Sequence, residues 1–337
     1  MSGFVTVSIG SGLVDSIFGK CQVPLASYIE KQGEAFERES VMKYLFNFNP
    51  SRHWAEQYSS ETAMDDFVPV GEGGEYPRTG FEEGYNRIIE NMTFKQSFSV
   101  TQELVEDANL GAMKQRARKL ITAYGRTREK FGRALYAGGI YGTTVNFGGK
   151  SFACNGADGL ALFHKEHVNK VDGKKQSNLY KGAFSATLLG KIETEMQQVT
   201  GDNGELLAVS PDTIWIPNDA ALKDAVFSAV GADKEPATSN NAYNVQYGRW
   251  NIIVDPYLTQ MLQVMGKTDK PFFLLDSKFM QNGDGAIFQE RKKLEVKSVI
   301  DQNNDNNSWR GRARFGAGFV DWRFVAAGNI STGKDLS

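Results

Sequence analysis

The sequence predicts an α+β fold, on three features of its 337 residues. One amphipathic helix over 107–137 is far longer than an average globular helix. From about residue 182 strands and helices alternate. Residues 281–320 are strand-rich and broken by one polar turn. Two thinner parts precede them: an arm over 1–62 and a Gly-rich, acidic hairpin over 63–103. The long helix leads a region over 104–181, an α/β unit spans 182–280, strands fill 281–320, and a last strand with a tail over 321–337 returns to the α/β unit.

Each element has a local reason. In the arm, "LASYIEKQGEAFERESVMKYLFNF" places Leu25, Ile29, Phe36, Val41 and Leu45 at helical spacing with charges between. Alone this helix buries little and needs a surface to lie on. The hairpin's first half, "DDFVPVGEGGEYPRTGFEEGYN", is glycine-rich and acidic. In its second half Phe94, Gln96, Phe98 and Val100 alternate with Lys95, Ser97, Ser99 and Thr101, as in a strand with one buried face. Connections of this length inside compact domains are uncommon and usually functional.

In the long helix Leu110, Met113, Ala117, Leu120, Ile121, Tyr124, Phe131 and Leu135 form one stripe. Asp107 is its expected N-cap and Gly138-Gly139 its expected end. The rod is then roughly 45 Å long. Its other face carries Lys119, Arg126, Lys130 and Arg133, offset by Glu129. Such a row is either a solvated face or a surface turned toward a polyanion. Further on, Ser185 is placed to cap a helix, "DTIWIPNDAALKDAVFSAV" is a buried strand followed by a helix capped at Pro217-Asn218, and "RWNIIVDPYL" is a strand ended by Asp255-Pro256. The turn "DQNNDNNS" lies between two β-rich runs, the pattern of a long hairpin.

Composition excludes several classes. The 38 basic and 40 acidic residues leave a formal charge of -2, so the chain as a whole is no electrostatic nucleic-acid binder. Two cysteines far apart, Cys21 and Cys154, are no disulfide framework and fit a reducing compartment. Neither a signal peptide nor a membrane span is expected. The cluster His164-Lys165-Glu166-His167 resembles a metal motif, but its histidines stand three apart with the glutamate beside the second, which is not the zinc-protease spacing. His164-Lys165-Glu166 matches half of the zinc-deaminase signature, and the P-C-x-x-C half is absent. Hydrogen-bonded turn anchors are the expected role of His164 and His167. A metal-dependent hydrolase using both is the alternative of another class. No nucleophile elbow or phosphate loop is present, so no catalytic residue, metal or cofactor is expected.

The order of parts, with several motifs, resembles the major capsid protein of tailed bacteriophages, the HK97 fold. "FKQSFSVTQELVEDANLG" running into the long helix is similar to the end of the E-loop entering the spine helix. "LFHKEHVN" resembles the LFH-x-x-H segment of Mu-like head subunits. "LAVSPDTIWIPNDAALKDAV" and "YGRWNIIVDPYL" followed by "PFFLLDS" resemble the axial (A) domain. The resemblance covers nearly all of the chain after about Asp65. It implies a non-enzymatic shell protein of the virion, assembled in the host cytoplasm, that forms hexamers and pentamers around double-stranded DNA. The spine helix and late strands become the peripheral (P) domain, and the E-loop becomes an inter-subunit arm with Asp65, Asp66, Glu72, Tyr76, Arg78 and Phe81. The row Lys119, Arg126, Lys130 and Arg133 becomes a DNA-facing surface, and Arg128, close to the apolar stripe, is expected to pair with a carboxylate. A separate scaffolding protein, a portal protein and decoration proteins are the implied partners. Within the same fold, an encapsulin-like nanocompartment is the alternative.

Overall fold

The computed structural model describes residues 5–8, 17–61, 68–70, 75–76, 83–101, 110–202, 204–231, 244–300 and 306–336. The chain begins with strand β1 (Val5–Ser8), the arm helix α1 (Ile17–Glu39), a single turn α2 (Met42–Leu45) and strand β2 (Asn47–Pro50). Hairpin strands β3 (Ala55–Glu61) and β4 (Glu83–Glu90) follow, then β5 (Met92–Val100) and the spine helix α3 (Leu110–Tyr141). Two small ribbons, β6 (Thr144–Phe147) with β7 (Lys150–Ala153) and β8 (His167–Val168) with β9 (Lys175–Gln176), lead to the α/β unit. That unit runs α4 (Ala186–Gln197), β10 (Thr213–Pro217), α5 (Ala220–Val230), β11 (Asn251–Asp255), α6 (Pro256–Val264), β12 (Phe272–Leu275) and α7 (Ser277–Phe279). After a π-helical turn over Met280–Asp284 come β13 (Ala286–Ile300), β14 (Asn307–Phe319) and β15 (Val325–Gly328).

The peripheral sheet has the order β1-β13-β14-β5, with β2 also lying along β13. The long antiparallel pair β13–β14 is the hairpin expected around the polar turn. β5 joins β14 antiparallel, from Met92 opposite Phe315 to Val100 opposite Asn307. It alternates as predicted: Phe94, Phe98 and Val100 face the core, while Lys95, Ser97 and Ser99 are exposed. β5 is therefore an edge strand of this sheet rather than the second arm of the loop. That arm is β4, and the first is β3, paired from Ala55–Glu90 to Glu61–Glu83. The loop thus starts at Ala55, upstream of the boundary drawn at 63. The reason is compositional: "AEQYSSE" has no apolar alternation to announce a strand.

The spine helix packs on one face of this sheet. Phe131 meets Phe94 at 5.9 Å and Phe315 at 5.7 Å between ring centroids, and Phe94 stacks on Phe315 at 4.2 Å. The stripe is buried through Ala117, Leu120, Ile121, Tyr124, Phe131 and Leu135. Asp107 lies outside the described residues. The helix does not stop at Gly138-Gly139. It runs on to Tyr141, because these glycines serve close approach: a Cβ on Gly138 would sit 2.6 Å from the Val145 Cβ, and one on Gly139 2.8 Å from the Leu162 Cβ. The arm helix finds its surface on its own chain. Ile29 is buried, and the Phe36 ring sits where a Cβ on Gly125 of the spine would be.

The axial sheet has the order β11-β10-β12-β15. On one face α4 and α5 cover Ile214, Ile216, Phe272 and Leu274 with Leu189, Ile192, Leu222 and Val226. On the other, α6 and the C-terminal part of the spine helix meet Trp215 and Phe273, and Tyr136 lies edge-on to Trp215 at 5.2 Å. Ser185 caps α4 as expected, accepting from the Leu188 amide at 3.1 Å. The cap of α5 is Asp219 rather than Pro217-Asn218, since its carboxylate accepts from the Leu222 amide at 3.1 Å. Asp255 caps α6 through the Tyr257 and Leu258 amides, ahead of Pro256 in the first turn. No described helix is long and apolar enough to cross a membrane.

Candidate functional site

The histidine cluster is a turn anchor. His167 is fully buried, its Nδ1 2.6 Å from Asp158 Oδ2 and its Nε2 3.2 Å from Asn178 Oδ1. Its ring stacks on Trp322 at 4.2 Å. The Asn178 amide group is oriented by donation to the Leu162 carbonyl at 2.8 Å, so its oxygen is the atom facing the imidazole. Both nitrogens of His167 therefore face acceptor oxygens, and neither directs a lone pair toward a metal. His164 Nδ1 accepts from the Glu166 amide at 3.1 Å. Glu166 turns outward to Lys175, 3.0 Å away. Cys154 is buried, its thiol pushed up to about 12 by burial, which disfavours a reactive thiolate. Among the described residues, no three His, Cys, Asp or Glu side chains could jointly hold a metal ion.

The cationic row of the spine helix is shorter than its sequence. Lys119 and Arg126 are exposed and Lys130 is half-buried. Arg133 is buried at 1 % exposure, its Nε 2.6 Å from Asp255 Oδ2 and its guanidinium paired with Glu129. Trp215 Nε1 donates to the same Asp255 oxygen at 3.1 Å, and Ser40 donates to Glu129. Arg133 therefore joins arm, spine and axial domain and is not a DNA-facing residue. The physical reason is that every residue from 131 to 140 is buried, so the helix has no outer face there. Arg128 is paired with a carboxylate as expected, 2.9 Å from Glu290.

Of the inter-subunit residues expected on the hairpin, Asp65, Asp66, Glu72, Arg78 and Phe81 lie outside the described residues. Tyr76 is 94 % exposed, and Val68 and Val70 are exposed as well. The hairpin's root is well held. Glu56 accepts from the Ser51 hydroxyl and the Arg52 and His53 amides at 2.8, 2.9 and 3.1 Å, while Asn91 donates to Ser51 and to the His53 carbonyl. Those amides, with the hydroxyl, pull the Glu56 carboxyl down to about 2. Ile89 packs with Ile287 and Val320, and the Tyr58 hydroxyl reaches Gln289 at 3.2 Å. The root thus lies on the face of the peripheral sheet away from the spine helix.

The rest of that face is open and basic. Residues opposed in an antiparallel sheet share a face. Lys297 and Arg310 make one row with Ser97. Arg312 and Lys95 make a second with Glu295, and Lys292 and Arg314 make a third with Thr93. In "WRGRARFGAGF" these arginines recur with a period of two, the sequence signal that puts them on one side of the strand.

The model of the phage capsid protein family matches residues 89–328, more than half of the chain. Among solved structures, the capsid of Ralstonia phage GP4 has a TM-score of 0.56 at 9 % identity, covering 85 % of this chain and 87 % of that one. The capsid structure of cyanophage P-SCSP1u has a TM-score of 0.51 at 9 % identity, covering 86 % and 87 %. A chain of Mycobacterium phage Patience has 0.51 at 11 %, covering 94 % and 89 %. No curated protein sequence matches. With the spine helix, E-loop, peripheral sheet and axial domain in place, the chain belongs to the phage capsid protein family and is a major capsid shell protein with the HK97-like fold of tailed phages.

Proposed function

We propose that the subunit assembles through its hairpin into hexamers and pentamers that close an icosahedral shell around double-stranded DNA. The observation that carries this is the β3–β4 ribbon. It is anchored at its root by Ile89, Asn91 and Glu56, while Trp54 and Ile88 remain 64 % and 59 % exposed. A two-stranded ribbon cannot bury such residues by itself, and a neighbouring subunit supplies the missing cover. The hairpin residues Asp65, Asp66, Glu72, Tyr76, Arg78 and Phe81 are the contacts of this reading. Lys119 and Arg126, flanked by Lys130, turn toward packaged DNA. A separate scaffolding protein, a portal and decoration proteins are its partners, the host cytoplasm is its place of assembly, and the chain groups with Mu-like head subunits.

The test is electron microscopy of the chain expressed with and without the phage's other head proteins. Closed particles are expected, and deletion of Gly71 to Gly80 should abolish them while leaving a soluble folded subunit. A full-length chain that stays monomeric under every condition overturns the proposal.

A further inference from the structure

Strand β5 leaves one edge of the peripheral sheet open. Among the described residues it pairs with β14 alone. The Gln96 carbonyl turns to β14, 3.4 Å from where a Cβ on Gly311 would stand. Opposed residues of an antiparallel pair alternate between bonded and unbonded, so the backbone groups of Lys95 and Ser97 point out from the edge. So does the Ser99 carbonyl, to which the Arg116 guanidinium of the spine helix donates. Arg116 thus closes the edge at that end and leaves it open from Thr93 to Ser97.

Two clefts of opposite character flank this edge, and Lys95, Gln96 and Gly311 line both. On the face away from the spine helix, Arg310, Arg312 and Arg314 form a ladder beside Lys95 and Lys297. Arg310 and Arg312 are exposed, and a groove of about 500 Å³ runs over them. Its one acid, Glu295, is engaged by Lys297 at 3.1 Å. On the helix face, a cleft of about 290 Å³ opens between β5 and the spine, walled by Phe94, Leu120, Ala123 and Tyr124. Its origin is a missing ring. Phe98 stacks on Trp309 and Phe94 on Phe315, but Gly311 gives Gln96 between them nothing to stack on.

A strand laid on this edge sends alternate side chains to the two faces. Those opposite Lys95 and Ser97 enter the basic groove, and the one opposite Gln96 enters the apolar cleft. The β5 of a second copy would bring another lysine to the arginine face, and like charges opposed across strands are destabilising. We propose that the open edge of β5 is a docking site for an extended segment of a partner protein in which acidic and apolar residues alternate. Backbone hydrogen bonds supply the affinity of such strand addition, and the pockets for alternate side chains supply its specificity. The site belongs to the single subunit, so its test needs no assembled shell.

The test adds a synthetic peptide of alternating glutamate and valine to the full-length chain. Hydrogen exchange at the Lys95 and Ser97 amides should slow, and more so at low salt. A lysine–valine peptide should leave it unchanged, as should a glutamate–valine peptide with the alternation scrambled. Ser97→Pro removes an outward N–H and spares the bonds to β14, so the subunit should keep its circular dichroism and lose the peptide. Lys95→Glu with Arg312→Glu should weaken the glutamate–valine peptide about tenfold and admit the lysine–valine one. Ala123→Leu fills the apolar cleft and should reduce the glutamate–valine peptide to the affinity of a glutamate–serine peptide. Undiminished binding by Ser97→Pro, equal protection by the scrambled peptide, or no protection at up to about 1 mM peptide overturns the proposal. Protection that needs no peptide and rises with subunit concentration gives the edge to a second copy of the chain, and overturns it too. So does equal protection by single-stranded DNA, which makes the face a nucleic-acid contact. Shell formation is read separately by electron microscopy, so none of these results bears on it.

Discussion

Arg133 shows what a single buried ion costs. Its guanidinium lies between Glu129 and Asp255, all three nearly inaccessible. Arg133→Met would leave two buried carboxylates without a counter-charge, and a loss of about 3–5 kcal/mol in urea unfolding of the unassembled subunit is expected. Adding Glu129→Gln and Asp255→Asn should recover most of it, because Asn preserves the cap of α6. The residue was misassigned from sequence for an identifiable reason. A stripe tells which helix face is apolar, but the polar face faces solvent only where nothing else packs. Arg128, set beside the stripe, was legible as a paired residue because its angle on the helix decided the matter. Arg133 needed the axial domain, more than a hundred residues away. Glu56 gives a second expectation at this scale. Its carboxyl titrates at about 2 in the folded chain against an ordinary 4.5, so its contribution is present above about 4.5 and lost as pH falls through about 2. Amide exchange at Arg52 and His53, followed by mass spectrometry, should quicken relative to free peptide across that window. In Glu56→Gln it should be insensitive to it.

At the level of elements, the spine helix decides between two effects at Gly138. Alanine is favoured over glycine in a helix by about 1 kcal/mol. The new Cβ would meet Val145 at 2.6 Å inside a packed layer, and overpacking of this kind costs roughly 1–3 kcal/mol. The clash wins, so Gly138→Ala should lower the melting temperature of the subunit. An Ala at Gly142, which has nothing within 4 Å, should not. The same pair explains why the helix end was misplaced: glycine is equally a terminator and a close-approach residue, and only the neighbour distinguishes them. The long periodic elements, α3, β5 and the β13–β14 pair, were legible because tertiary packing reinforces what their own sequence repeats. The first hairpin arm was not, since a polar ribbon repeats nothing.

For the whole molecule, the spine helix and the arginine ladder lie on opposite sides of one sheet, giving the subunit two distinct cationic surfaces under a formal charge of -2. Sequence-wide charge conceals both. If the helix side faces the genome, shells of Lys119→Gln with Arg126→Gln should form at normal yield but retain less DNA. The deficit should shrink as salt rises, because fewer phosphate contacts remain for salt to weaken. DNA content per particle at about 50 and 200 mM salt reads this directly. Equal retention and an unchanged salt response would leave the row a solvated face.

The pairing of β1 with β13 has a consequence for how the protein is made. Val5 lies opposite Leu294, so the first strand meets its partner only after nearly the whole chain has been synthesised. At roughly 5–20 residues per second, that interval is about 15–60 s. Until then β2 and β5 also lack the late strands they bind, and their bare edges are open to strands of other chains growing nearby. A product cut short before Ala286 has no peripheral sheet, and with it goes the ladder. Completion of the sheet therefore waits on the synthesis of β13 and β14, the strands to which β1, β2 and β5 pair.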